Sequence, residues 1–280
     1  MARQTGNADP ATVASFGDEW SRFDQSGLSE EEARKVFNEY FAVFPWDRLP
    51  PDAEGFDMGC GSGRWARLVA PRVGRLHCID PSPAIEVARR TLAGCDNVRF
   101  HRASTDDHGL PRGSQDFGYS LGVLHHVPDT AGAVRSCVDL LKPGGVLLLY
   151  LYYAFDNRPR WFRALWRLSD LGRRVICRLP PRAKHWVTDS IAALVYFPLA
   201  RGCGLVERVG VRVENIPLAY YRHHSFYTLR TDARDRFGTP LEKRFTRKEV
   251  VSLMEDAGLE RVRVSETAPF WCAVGFRRRG

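Results

Sequence analysis

A chain of 280 residues that is 44% hydrophobic and 26% charged can bury one large core or two modest ones, which excludes a disordered or collagen-like polymer. Its formal net charge of +8 is local: Ala154–Lys243 holds 17 Lys/Arg against 8 Asp/Glu, and the remainder sums to −1. Seven cysteines lie singly without a C-x-x-C pair, a usage that suits buried thiols in a reducing cytoplasm better than a disulfide frame or a zinc site. No charged start followed by an apolar run marks a signal peptide, and the longest uncharged apolar run, Ser190–Ala200, contains Pro198 and is short for a bilayer. The expected location is cytoplasmic.

In chain order, residues 1–14 read as a frayed polar tail. Phe16-Gly17-Asp18-Glu19-Trp20-x-x-Phe23 follows as an aromatic-acidic cluster. Ser29-x-x-Glu32 is a capping box that predicts a helix to about Phe41, with Phe37, Tyr40 and Phe41 on one face. From Gly55 to Tyr153, short apolar runs (GFDMGC, RLHCID, VRFHRA, DFGYSLGVL, GVLLLYLYY) alternate with helical stretches, which predicts βαβ units and a parallel sheet covered on both faces. Lys142-Pro143-Gly144-Gly145 predicts a helix stop and turn feeding the most hydrophobic strand. Near the end, Thr246–Ala257 predicts an amphipathic helix closed by Gly258. Leu259–Ser265 and Phe270–Phe276 read as a strand pair.

The loop Asp57-Met58-Gly59-Cys60-Gly61-Ser62-Gly63 leaves an apolar strand and enters a helix. Glycines there allow a tight turn and close approach of backbone N–H groups to a ligand. The spacing is G-x-G-x-G; a dinucleotide fingerprint needs its last glycine where Arg64 stands. Asp80 closes the second strand about twenty residues on, where a doubly wound fold offers a carboxylate to a ribose diol. Loop, acid and strand order together point to a nucleoside-containing cofactor at the carboxyl edge of the sheet.

These stretches, with LPRGSQDFGYSLGVLHHVPD and LLKPGGVLLLY in matching order, resemble the class I S-adenosylmethionine-dependent methyltransferases over about Gly55–Tyr153. The resemblance implies an α/β fold with a doubly wound, seven-stranded Rossmann-like sheet whose last strand is antiparallel. An N-terminal helical lid (1–50) would precede a cofactor-binding core (51–153). A basic, aromatic cap (154–243) would be inserted after the fifth strand, and 244–280 would complete the core. It implies S-adenosylmethionine as cofactor, with Asp57, Gly59, Cys60, Gly61 and Gly63 around its methionine part and Asp80 on the ribose hydroxyls. Pro81 and Ser82 would lie beside the adenine, Asp106 or Asp107 would reach the adenine amine, and Leu121 and Gly122 would present backbone. Trp20 would serve a lid.

A sulfonium methyl is already electrophilic, so the protein chiefly orients the acceptor. A base is needed only where the acceptor must lose a proton, and His125 and His126 after the fourth strand are the first candidates. In the cap, AYYRHHSFY reads as an acceptor element: Tyr220, Tyr221 and Tyr227 for shape, Arg222 or Arg230 for a negative group, His223 or His224 as reserve base. No metal is expected there, since adjacent histidines chelate poorly. The basic helix carrying Trp161, Phe162, Leu165, Trp166 and Leu168 either packs on its own protein under arginine stems or lies on an anionic membrane. Asp189–Leu199 is expected to be the cap's own core. The resulting expectation is a methyltransferase for a small or medium organic acceptor, a natural-product, sugar or lipid-linked intermediate with an anionic group. The alternatives are action at a membrane surface on a prenyl-type lipid, action on RNA, or a non-catalytic cofactor-binding subunit. Neither the methylated atom nor the oligomeric state follows from the sequence.

Overall fold

The computed structural model describes residues 6–279. In chain order the elements are α1 (Pro10–Arg22), α2 (Glu30–Tyr40), β1 (Glu54–Met58), α3 (Ala66–Val69), β2 (Arg75–Ile79), α4 (Ala84–Thr91), β3 (Val98–His101), β4 (Gln115–Leu121), α5 (Thr130–Leu140) and β5 (Leu141–Tyr150). Four further helices follow, α6 (Arg160–Ile176), α7 (Pro181–Ile191), α8 (Phe197–Arg208) and α9 (Phe226–Gly238), and then α10 (Arg247–Asp256), β6 (Leu259–Val264) and β7 (Cys272–Arg277). The chain divides into two compact units. One comprises residues 6–24, 33–154 and 241–279, and the other 25–32 and 155–240.

The first unit is a seven-stranded sheet in the order β3-β2-β1-β4-β5-β7-β6. The first five strands are parallel, and β7 enters antiparallel between β5 and β6, as the resemblance implied. Two apolar layers cover it. Val146 and Leu148 of β5 feed the layer of Phe37, Phe41, Val69, Ile85 and Phe117; Leu147 and Leu149 feed that of Met58, Leu124, Val134, Met254 and Leu259. A strand buried on both faces must read as a continuous apolar run, which is why β5 is the most hydrophobic stretch of the core. Thr246 and Glu249 form the full capping box of α10, and Gly258 ends the turn after it at φ +96°.

Several expectations are corrected. Residues 1–5 of the expected tail lie outside the described residues, but Pro10–Ala14 open α1, capped by Asp9, whose carboxylate accepts from the Thr12 N–H at 2.8 Å. The Lys142–Gly145 turn falls inside β5, because Leu141 already pairs with Gln115 before the register shifts. Ser29 accepts from Glu32 N–H at 3.2 Å, yet the Glu32 carboxylate does not return to it. It accepts from Ser225 N–H (2.9 Å) and Thr228 Oγ1 (2.7 Å) at the start of α9. Glu32 thus ties down the N-cap residue and the first turn of a second helix within its own unit.

That second unit has a thin core of Ala192, Tyr196, Ala200, Leu229 and Ala233. Residues 181–208 form one helical run, and its inward positions Lys184, Thr188, Ala192, Tyr196 and Ala200 recur every four residues. Such a stripe drifts around a 3.6-residue helix; the wider π-turn at Ala192–Tyr196 brings it back onto one face. The expectation that Asp189–Leu199 is core holds only in part: Ala192 and Tyr196 are buried, but Leu194 is 76% exposed, Val195 45%, Phe197 40% and Leu199 46%.

Candidate active site

At the carboxyl ends of the parallel strands, the loop after β1 is held by two bonds to one carbonyl, from Gly59 N–H (2.8 Å) and Cys60 N–H (3.1 Å) to Ile79 O. Gly63 N–H closes it onto Cys60 O at 2.9 Å. Asp80, ending β2, accepts from Gly61 N–H at 2.9 Å through one oxygen, and from Ser82 N–H (2.8 Å) and Ser82 Oγ (2.6 Å) through the other. The glycine loop and the turn Asp80-Pro81-Ser82 are therefore one hydrogen-bonded object. Burial raises the Asp80 pKa, while the donors on Ser82 and Gly61 oppose that rise.

Asp57 lies at the end of β1 and is 1% exposed. Burial pushes its carboxyl up to about 8; the charge of Asp80 adds to this, and the Tyr119 hydroxyl and Arg64 pull the other way. An acid whose pKa rises on folding makes the native state bind more protons than the unfolded chain, so its contribution to stability is full below about pH 4 and lost progressively up to about 8. Denaturant titrations of the unliganded protein at pH 6 and pH 8 are expected to differ by about 2 kcal/mol from this group, with less stability at the higher pH. Asp57→Asn should flatten that difference; an unchanged slope would show that Asp57 is not the group responsible.

A roof of N-terminal residues covers these strand ends within the same unit. Trp20 of α1 places its indole Nε1 3.1 Å from where a Cβ on Gly61 would stand, and Arg64 lies 5.8 Å from the Trp20 ring. Gly17 meets Pro83, and Phe16 lies edge-on to His126 at 5.0 Å. Asn7 N–H donates to both oxygens of Asp106 at 3.0 and 2.9 Å. Asp106 thus holds the N-terminal segment and also accepts from Ser104 Oγ; both it and Asp107 are exposed. Glu19 of the aromatic-acidic cluster is wholly buried on α1.

At the end of β4, Leu121 is buried, and Gly122 at φ +77° donates its N–H to Tyr150 O at 3.0 Å. His125 is fully buried against Tyr152, ring centres 3.9 Å apart, and neither ring nitrogen has a hydrogen-bond partner among the described residues. Burial, with His126 and Arg244, depresses its pKa well below the ordinary histidine value and leaves it a weak base. His126 is different. Its Nδ1 lies 2.6 Å from Leu241 O, and a carbonyl only accepts, so Nδ1 carries the proton and a neutral ring keeps its lone pair on Nε2. The sequence offered no sign of this partner, 115 residues away.

The cap candidates are gathered in the second unit, mostly in contacts of its own. Arg222 makes a two-toothed pair with Glu207 (2.7 and 2.8 Å), and Arg230 another with Asp189 (3.1 and 3.0 Å). Both cations expected to meet an acceptor anion are thus already matched by carboxylates. His223 lies 3.2 Å from Glu207, His224 packs on Tyr220, and Tyr221 on Tyr196. Tyr227 accepts from Gln25 N–H at 2.9 Å. The described residues hold no group of three or more His, Cys, Asp or Glu placed to bind a metal.

Residues 56–149 match the family described as "Methyltransferase domain". The chain is 33% identical over 144 residues to a ubiquinone biosynthesis O-methyltransferase of Xanthomonas campestris pv. campestris, spanning 50% of this chain and 57% of that one. It is 31% identical over 159 residues to the protein of the same name from Xanthomonas axonopodis pv. citri, spanning 56% and 64%. The chain thus covers less than two thirds of either relative. Among solved structures, it resembles the SAM-dependent methyltransferase of Methanosarcina mazei (TM-score 0.50, 20% identity, 84% of this chain and 96% of that one). It also resembles the CurJ carbon methyltransferase (TM-score 0.53, 16% identity, 96% and 61%). At these identities the structures speak to the fold alone.

S-adenosylmethionine fits the residues present. Gly61 leaves open a cradle beneath Trp20 that a Cβ would fill, and Asp57 and Asp80 place two buried carboxyls beside it, suited to cationic and hydroxyl groups. Residues 56–149 thus match a methyltransferase domain, and the sheet order and this loop agree with the resemblance to the class I S-adenosylmethionine-dependent methyltransferases.

Proposed function

We propose that this protein transfers a methyl group to an oxygen of a small or medium organic acceptor. The observation that carries this reading is the arrangement at the strand ends: Asp57 and Asp80 astride the glycine loop, roofed by α1, with His126 fixed in its Nδ1–H form at the end of β4. The choice of oxygen is supported by the relatives, whose names describe O-methyltransferases. S-adenosylmethionine, when bound, supplies an electrophilic sulfonium methyl.

The chain's own residues then have distinct tasks. Asp80 accepts from ribose hydroxyls with the lone pairs that Gly61 and Ser82 leave over. Asp57 meets positive charge on the methionine part, which favours its ionised form and offsets its burial. Trp20 and α1 exclude water above the loop. His126 Nε2 takes the acceptor hydroxyl proton as oxygen attacks, and the resulting imidazolium is held by the Leu241 carbonyl at Nδ1. With Arg222 and Arg230 matched internally, the acceptor is assigned no anionic group.

His126→Ala is the test. Turnover on a panel of phenolic and sugar hydroxyl acceptors should fall by about 10²–10⁴-fold, with S-adenosylhomocysteine affinity within a few-fold of wild type. Turnover that survives the substitution removes the base role; absence of turnover by wild type on any acceptor, with the cofactor bound, favours a non-catalytic subunit.

A further inference from the structure

The helical unit of residues 25–32 and 155–240 is inverted in polarity. Buried inside it are Arg173, Lys184, Arg234 and Arg236, each less than 10% exposed. Two of them cap α9: Arg173 donates to the carbonyls of Thr239 and Pro240, and Lys184 to that of Gly238. On the outside stand Trp186 (78% exposed), Leu194, Leu199, Leu205 and Val209 (78%). In α6 the outward residues Trp161, Leu165, Leu168, Leu171 and Val175 recur at spacings of three and four, which makes one continuous apolar stripe. Every exposed large hydrophobic residue among those described lies between Trp161 and Phe226. Scattered exposed leucines need no explanation, but stripes on consecutive helices whose inward sides carry charge do.

What borders the stripe identifies what covers it. Arg160 and Arg167 fall along one edge of the α6 stripe at helical spacing, Arg178 follows in the turn after the helix, and Arg182 opens the next helix. All four are exposed, and none makes an ion pair among the described residues. Between Arg160 and Lys184 there are eight Lys/Arg and one Asp. A second copy of this chain would bring like charges together across a two-fold interface, which opposes self-association through this face. Nucleic acid would meet the arginines but leave the apolar stripes in water. A surface that is negative at its headgroups and apolar just below matches both features.

We propose that this unit docks on anionic phospholipid bilayers, with the outward faces of α6 and of the 181–208 run lying in the interfacial plane. The run 181–208 is the one helix among the described residues long and apolar enough to cross a membrane by length and composition. Its Lys184–Ala200 stripe, however, is committed to its own unit, so the run lies on the bilayer by one face and does not traverse it. The proposal rests on the helical unit alone and is read without turnover, so it stands or falls separately from methyl transfer.

The test is sedimentation of the full chain with vesicles of phosphatidylcholine, with and without 30 mol% phosphatidylglycerol as about a third of the lipid. Binding is expected to the anionic vesicles and at least ~10-fold weaker to the neutral ones. Leu168→Glu with Leu194→Glu should abolish it even at low salt. Gln in place of Arg160, Arg167, Arg178 and Arg182 should weaken it roughly fivefold per charge. Retained S-adenosylhomocysteine affinity checks that the variants are folded. Should they not fold, quenching of wild-type tryptophan fluorescence by brominated lipid reads Trp161 and Trp186 directly. Absence of both sedimentation and quenching overturns the proposal. So does a concentration-dependent dimer that Leu168→Glu with Leu194→Glu dissolves, which would assign the face to a second copy.

Discussion

Asp80→Asn is expected to weaken S-adenosylhomocysteine binding by about 100-fold or more, measured by calorimetric titration. The reason lies in the two donors that cannot turn away. One carboxylate oxygen faces Gly61 N–H, and the other faces Ser82 N–H. An asparagine has one oxygen and one amino group, so in either orientation its NH₂ confronts a backbone N–H. Ser82 Oγ can rotate to accept, but the peptide nitrogen cannot. An orphaned buried donor costs about 1–3 kcal/mol, and the surviving bond loses the strength that charge gave it. The damage falls on the loop and on the carboxylate offered to the ribose together, which is why the affinity loss exceeds that of a single ribose contact. Wild-type affinity in Asp80→Asn would remove this residue from the site. A fall in melting temperature without a fall in affinity would reduce Asp80 to a turn residue.

The parts of this protein legible in the sequence are those whose physics is local or periodic. The parallel βαβ units followed from apolar runs alternating with helical ones, the antiparallel last strand from the family resemblance, and the loop from glycines placed where φ must be positive. Asp80 was legible because a carboxylate at a strand end lies a fixed distance along a βαβ unit. The misreadings share a different cause, which is that each residue's partner lies far away in sequence. Asp106 holds Asn7, 99 residues away, a partner that nothing local in the sequence announces. Arg222 and Arg230 read as anion receptors until Glu207 and Asp189 are placed beside them. Asp189–Leu199 reads as core throughout because apolar residues are assumed to face inward, yet beyond Ala192 and Tyr196 its large apolar residues face out, on a helix with Lys184 and Thr188 on its inner side.

Gly59→Ala should abolish measurable cofactor binding while leaving the sheet folded, and two separable effects produce that result. The first is conformational. Gly59 has φ +84°, where an L-residue with a Cβ pays about 1–2 kcal/mol. The second is steric: the added Cβ would stand 2.4 Å and 2.5 Å from the two methyls of Val123. A β-branched side chain has little freedom to swing aside, so loop and Val123 must move apart at a further ~1–3 kcal/mol. The loop cannot yield at its base, since Gly59 and Cys60 N–H are both tied to Ile79 O. It yields at Gly61, where the cradle under Trp20 is formed. Val123→Ala removes the contact but not the left-handed geometry, so Gly59→Ala with Val123→Ala should recover only part of the affinity, and the double-mutant cycle should show a coupling of the order of 1 kcal/mol or more. Full recovery would make the clash the whole effect. Normal binding by Gly59→Ala alone would mean that this loop does not cradle the cofactor.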